Sequence, residues 1–398
     1  MIVGGRFHLT YCSNIHPGET WNDVAAVLAS SLPRVRALLG HQGPLAVGLR
    51  LSAQAAETLE QPTVLASFRE FLSAGDYYVL TINGFPYGAF HGQRVKEQVY
   101  RPDWRDDARL DYANRLARLL ATLLADRPDI EGSVSTVPGA FRSEIAGGAD
   151  EAAMATRMLR HAAELVALRQ KTGVTITLAI EPEPACYIET VADAIAFFRD
   201  YLFDEALVRR VAAEGQAALT VDDVRRHVGL CFDACHMAVE FEEPHVALER
   251  LNAAGIRICK VQISSALRVD PADARAMSAL APFAEGTYLH QVVTRSQAGI
   301  TRYVDLPEAM TAPPADAVDS GEWRVHFHVP IFLGAMHEFG TTQSDLVATL
   351  DAFKRQPVCP YLEVETYTWD VLPPEYRTSD VCTAIARELS WVRAQLEA

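Results

Sequence analysis

The chain has 398 residues, 49% hydrophobic and 22% charged, a globular balance with enough material for a large core. Its formal charge is −15, spread along the chain, which repels phosphate backbones and argues against nucleic-acid binding. No apolar run approaches the ~20 residues of a membrane span. The start, "MIVGGRFHLTYC", lacks the basic and apolar regions of a signal peptide. The seven cysteines show no CxxC spacing and read as reduced, buried thiols, so a cytoplasmic protein is expected.

Taken in order, short apolar runs alternate with helical patterns. "RFHLTYCSN" (6–14) reads as a strand and "TWNDVAAVLASSLPRVRALLG" (20–40) as a helix. Strands follow at 44–52 and 77–85, with helices to about 74 and then at 107–127. "GSVSTVPGAF" (132–141), "VTITLAIEPEP" (174–184), "VGLCFDAC" (228–235) and "IRICKVQIS" (256–264) read as strands, each followed by helix or, for the last, by an irregular stretch. Residues 265–322 hold a helical piece, hairpin strands at 287–304 and a Pro/Ala/Asp-rich loop. "WRVHFHVPIF" (323–332) is strand-like, a helix covers 342–355, "PYLEVETYTW" (360–369) is a strand, and 379–396 is a closing helix.

Near-continuous apolar strands alternating with amphipathic helices predict a parallel sheet covered by helices. Eight such units predict an α/β fold closed as a (β/α)8 barrel. A doubly wound sheet is the rival, but no GxGxxG or Walker pattern is present. The whole chain, 1–398, is expected to be one barrel domain, with 265–322 inserted in the seventh βα unit.

Barrel active sites lie at the C-terminal ends of the strands. There the chain places Asn14, His16 and Glu19; Asn83, Tyr87 and His91; Glu181 and Glu183; Asp233 and His236; Lys260 and Gln262; His326 and His328; Glu363 and Glu365. Alternation along a strand puts Glu181 with Glu183, Lys260 with Gln262 and Glu363 with Glu365 on one face. Inward carboxylates on several strands crowd like charges, a cost that a divalent cation between them removes. An oxygen-rich set favours Mn, Mg, Co or Zn. Each residue also has a structural reading. Glu181 could be a salt-bridged strand end, Asp233 a helix cap, His236 a packing histidine, and Gln262 a backbone-bonded interior amide. His290 and Arg302, in the insertion, could be surface residues, and His16 could serve a turn.

The series Glu181, the D-x-x-H of "FDACH", Gln262 and Glu365 resembles the xylose isomerase-like barrel superfamily. That superfamily includes sugar isomerases and epimerases, dehydratases and endonuclease-type enzymes. "TYCSNIHPGETW", "EPEP", "FDACHMAVEFE", "KVQIS", "HFHVP" and "LEVETYTW" are more narrowly similar to the Ebo-type metabolite-traffic family of bacterial secondary-metabolite operons. The resemblance implies a metal held by Glu181, Asp233 and Glu365, with Glu181 and Glu365 also moving protons. It implies that His236 touches substrate; His16, His326, Lys260 and His290 are further substrate-side candidates by their place at strand ends and in the insertion. At the third ligand, where the epimerase pattern has histidine, this chain has Gln262, and His328 is the other candidate. The implied activity is metal-dependent isomerisation or epimerisation of a small sugar-like or cyclitol-like compound. A lyase or hydrolase on the same site and a non-catalytic metabolite carrier are the alternatives. Barrels of this type often form homodimers.

Overall fold

The computed structural model describes residues 1–398 except Gln93, 312–320 and Thr378. Eight parallel strands carry the molecule: β1 (Phe7–Tyr11), β2 (Leu45–Arg50), β3 (Tyr77–Asn83), β4 (Gly132–Thr136), β5 (Ile176–Ile180), β6 (Val228–Asp233), β7 (Ile258–Ile263) and β8 (Tyr361–Val364). They are hydrogen-bonded in the order β1-β8-β7-β6-β5-β4-β3-β2, and Ile2–Val3 pairs antiparallel on the outer edge of β1. The ends of that order meet through a parallel bridge between Cys12 and Gly48, and Thr10 Oγ1 donates to Ala46 O at 2.8 Å. The sheet therefore closes into the expected barrel.

The helices follow from the patterns that foretold them. Trp21–Leu39 starts at Thr20, whose hydroxyl accepts from Asp23 N while Asp23 accepts from Thr20 N, and ends at Gly40 in the left-handed region (φ 60°). Its buried residues Trp21, Val24, Leu28, Leu32, Val35 and Leu39 recur every three or four positions and face the barrel.

The barrel interior holds one charged layer. Lys260 Nζ lies 2.5 Å from Glu363 Oε2 and 3.3 Å from Ser135 Oγ. Burial pulls Lys260 down, but the Glu363 carboxylate together with other neighbouring groups, Glu365 among them, outweighs it and keeps the ammonium charged. Glu363 reaches across to β2, where a Cβ on Gly48 would stand 1.7 Å from Glu363 Oε1 and 2.8 Å from Tyr11 O. Only glycine leaves room for that side chain.

The rhythm breaks after β7, as the sequence suggests, but over a longer stretch. A second, antiparallel sheet of six strands takes the order Gly299–Tyr303, Val292–Ser296, Gly321–Val325, Leu267–Val269, Phe339–Thr341, Ala335–Met336. It extends past residue 322 to Thr341. The run 323–332 is not one strand: it leaves the ladder after Val325, and His326 N donates to Gln291 O at 2.8 Å outside it. The central part of the Pro/Ala/Asp-rich loop lies outside the described residues.

Candidate functional site

Strand ends on β5, β6 and β8 bring Glu181, Asp233 and Glu365 together, with one carboxylate oxygen from each within 4.8 Å of the others. All three are almost wholly buried. Asp233 Oδ1 accepts from Ser264 Oγ (2.7 Å) and His236 N (3.0 Å), so the residue caps the helix Ala234–Val239 as well as facing the cluster. Glu365 Oε1 accepts from Asn14 Nδ2 (2.6 Å) and Asn83 Nδ2 (2.9 Å). Asp233 Oδ2 and Glu181 Oε2 have no hydrogen-bond partner.

The cluster's electrostatics are uneven. Burial, then the neighbouring charges of Glu365 and Asp233, push the Glu181 carboxyl well above its ordinary range. Burial and Asp233 do the same to Glu365. At Asp233 burial also pulls upward, but His236, His328 and the two hydrogen bonds together outweigh it and lower the carboxyl below its ordinary value. Three clustered carboxyls, two of them raised and two with an unpartnered oxygen, are a set that fits a divalent cation.

Gln262 sits on β7, with its Cα opposite Asp233 and Glu363. Its Oε1 accepts from Cys231 Sγ (3.3 Å), and its Nε2 has no partner. His328 lies on the other side, its Nδ1–H donating to Glu365 O at 2.8 Å. His328 also shares a cluster with Asp233 and His236, in which ligand atoms lie within 4.8 Å of one another. Burial pushes the His328 imidazole down to about 4 and His326 well below its usual value.

Above the carboxylates is a small pocket, about 60 Å³ in volume, lined by Asn14, Asn83, Glu181, Glu183, His236, His326, His328 and Glu365. Its outer wall is aromatic, with Phe85, Phe90, Tyr100, Tyr288 and Tyr367. Lys96 lines it too, but its ammonium is held by Asp305 at 2.7 Å.

Of the expected residues, Glu181, Glu365, His236, His326 and His328 line this pocket, and Asp233 and Gln262 lie directly beneath. Lys260 lies lower still, in the ion pair with Glu363. His16 faces away, 3.4 Å from Tyr11 Oη, and lines a separate crevice with Val24 and Leu28. His290 is a support behind the wall: it packs at a tilt against Phe327 with centroids 4.7 Å apart, and its Nδ1–H donates to His326 O at 3.1 Å. Arg302 binds Glu240 at 2.5 Å. Sequence reading singled out Asn14 and Asn83 as strand ends without their task of holding Glu365. Ser264, Tyr100 and Gln291 were missed. Ser264 stands two residues after Gln262 on the same face, which was the available signal. Gln291 and Tyr100 come from irregular segments whose pairing with Glu183 (Tyr100 Oη to Glu183 Oε1, 2.8 Å) no spacing encodes.

No protein-family model matches the sequence, and no curated protein matches it. Solved structures do. A xylose isomerase-like TIM barrel protein from Mycobacterium smegmatis, in complex with magnesium, aligns over 100% of this chain and 99% of its own, at TM-score 0.52 and 13% identity. A xylose isomerase domain protein from Planctomyces limnophilus aligns over 98% and 96%, at TM-score 0.50 and 13% identity. At that identity the likeness concerns the fold. The chain has the xylose isomerase-like TIM-barrel fold.

Proposed function

We propose that the chain is a metal-dependent isomerase or epimerase of a small hydroxy-carbonyl compound, sugar-like or cyclitol-like. The observation that carries this is the convergence of Glu181, Asp233 and Glu365, with unpartnered oxygens on two of them and raised carboxyl pKa values on two. A divalent cation there, Mn, Mg, Co or Zn, would polarise a carbonyl held beside it. Glu181, with its free Oε2, takes the proton adjacent to that carbonyl. Glu365, oriented by the Asn14 and Asn83 amides, returns one. Burial brings such carboxyls toward the range in which they trade protons near neutral pH. His236, on the pocket wall, is placed to meet a substrate hydroxyl. The aromatic outer wall and the neutralised Lys96 disfavour a phosphorylated substrate.

The test is deuterium exchange. The full chain, loaded with Mn²⁺, is incubated in D₂O with ketoses and inososes and followed by NMR. Deuterium entering next to the carbonyl is expected, with Glu181→Gln and Glu365→Gln each removing it while circular dichroism stays unchanged. Full exchange in both variants would sink the assignment, and loss of water from the substrate would mark a lyase. Gln262 favours a second reading, because a neutral amide stands where a stronger ligand is expected. On that reading the chain is a metabolite carrier of the Ebo type. Purified protein that holds no metal, takes none up and exchanges no substrate proton supports the carrier.

A further inference from the structure

The three histidines on the pocket wall share one orientation. Nδ1 of His236 faces Pro182 O (2.9 Å), that of His326 faces Gln291 Oε1 (2.7 Å), and that of His328 faces Glu365 O (2.8 Å). Carbonyl oxygens only accept, so each ring carries its proton on Nδ1. Gln291 is fixed in this sense, because its Nε2 donates to Tyr100 Oη (2.9 Å) and Pro184 O (3.1 Å). In the neutral rings each Nε2 is then a bare lone pair, and the lone pairs converge. His236 Nε2 lies 3.1 Å from His326 Nε2, which lies 3.2 Å from His328 Nε2. Acceptors aimed at one another repel unless an electrophile sits among them. The unpartnered Asp233 Oδ2, fully buried, is 4.0 Å from His236 Nε2.

We propose that His236, His326 and His328, with Asp233 Oδ2, form a second, nitrogen-rich cation site that takes Zn²⁺ or a similar borderline ion, separate from the carboxylate cluster. Zinc–nitrogen bonds of about 2.0–2.1 Å in a tetrahedron set ligand nitrogens roughly 3.3–3.4 Å apart. The observed 3.1 and 3.2 Å spacings reach that with a shift of a few tenths of an ångström. Imidazoles favour zinc, cobalt, nickel or copper strongly over magnesium, whereas carboxylate oxygens also suit magnesium and manganese. Ligating histidines generally donate their other N–H to a carbonyl or carboxylate, as all three do here. The proposal does not depend on the isomerase reading. It gives His236 a ligand's role in place of a direct substrate contact, and it makes Asp233 common to both cations.

The experiment uses the full chain, stripped with a chelator, loaded with ZnCl₂ and dialysed against a large excess of MgCl₂. One zinc per chain is expected to remain by elemental analysis, with imidazole scattering in its X-ray absorption spectrum. His326→Gln is expected to weaken that zinc roughly 10–100-fold, the range typical of disturbed ligation. Glu181→Gln is expected to retain it, although it disables the carboxylate cluster, so the two sites fail separately. The proposal is overturned by zinc displaced by magnesium, an oxygen-only shell, zinc unchanged in a folded His326→Gln, or no zinc bound. The last would mean that the rings share a proton. If the variant does not fold, the wild-type stoichiometry and spectrum decide.

Discussion

Lys260→Met removes one half of the ion pair inside the barrel and leaves Glu363 charged or forced to protonate, with no solvent near it. Breaking one side of a buried pair costs roughly 3–5 kcal/mol, whereas replacing both sides by apolar groups is often neutral. Unfolding entropy near 2.1 cal/mol/K per residue gives about 0.8 kcal/mol/K for 398 residues. The single variant is therefore expected to melt about 4–6 °C below wild type. Lys260→Met/Glu363→Leu is expected to recover most of the loss, and differential scanning fluorimetry at matched cation concentration reads both. If Lys260→Met melts like wild type yet abolishes substrate exchange, Lys260 is a substrate residue and the structural argument is wrong. If the double variant melts lower than the single, the pair contributes more than compensation and the energetic reasoning fails.

Other outcomes follow from the same geometry. Ser264→Ala leaves Asp233 Oδ1 with only the His236 amide, and divalent-ion affinity measured by calorimetry is expected to fall about 10–100-fold. Because burial and neighbouring carboxylates raise the Glu181 and Glu365 carboxyls in the cation-free fold, ion binding should expel the protons they retain. Calorimetry in buffers of different ionisation enthalpy should show that release, and apparent affinity should rise with pH; a pH-independent affinity would refute it. Glu388, buried under Thr366 and the Ile331 amide, is pushed up to about 7, chiefly by burial. The unfolded chain gives up that proton at lower pH, so Glu388 costs stability as pH rises from its ordinary carboxyl range to about 7. Glu388→Gln, which keeps an accepting oxygen, should melt higher than wild type at pH 8 and equally at pH 4.

The barrel was legible because its signals are local. Eight apolar runs and the helical patterns between them are each written within a few residues. Strand parity and strand polarity put Glu181, Asp233 and Glu365 among the residues at the barrel mouth, and the resemblance singled them out from Glu183 and Glu363. The rest depended on contacts distant in sequence. Lys260 obeys the parity rule but stands one layer below Gln262, and nothing local tells a pocket layer from a packed one. His16 follows a strand end, yet a short turn at Ser13–Ile15 carries it outward. His326 and His328 look like alternate residues of one strand. Their rings meet His236 only because the ladder stops at Val325 and Gln291 ties the departing backbone.

The site's carboxylates and two of its three imidazoles come from different sheets. Glu181, Asp233 and Glu365 stand at the ends of barrel strands, whereas His326 and His328 are delivered by chain leaving the inserted sheet. The carboxylates rest on a closed ladder that holds its register from all sides, while the two imidazoles inherit the position of a smaller sheet with open edges. Replacing the segment between β7 and β8 by a short connection would therefore strip two imidazoles from the pocket and leave the carboxylates standing. The insertion acts as an interchangeable donor cassette, through which sequence drift can retune this pocket without touching the barrel that supports it.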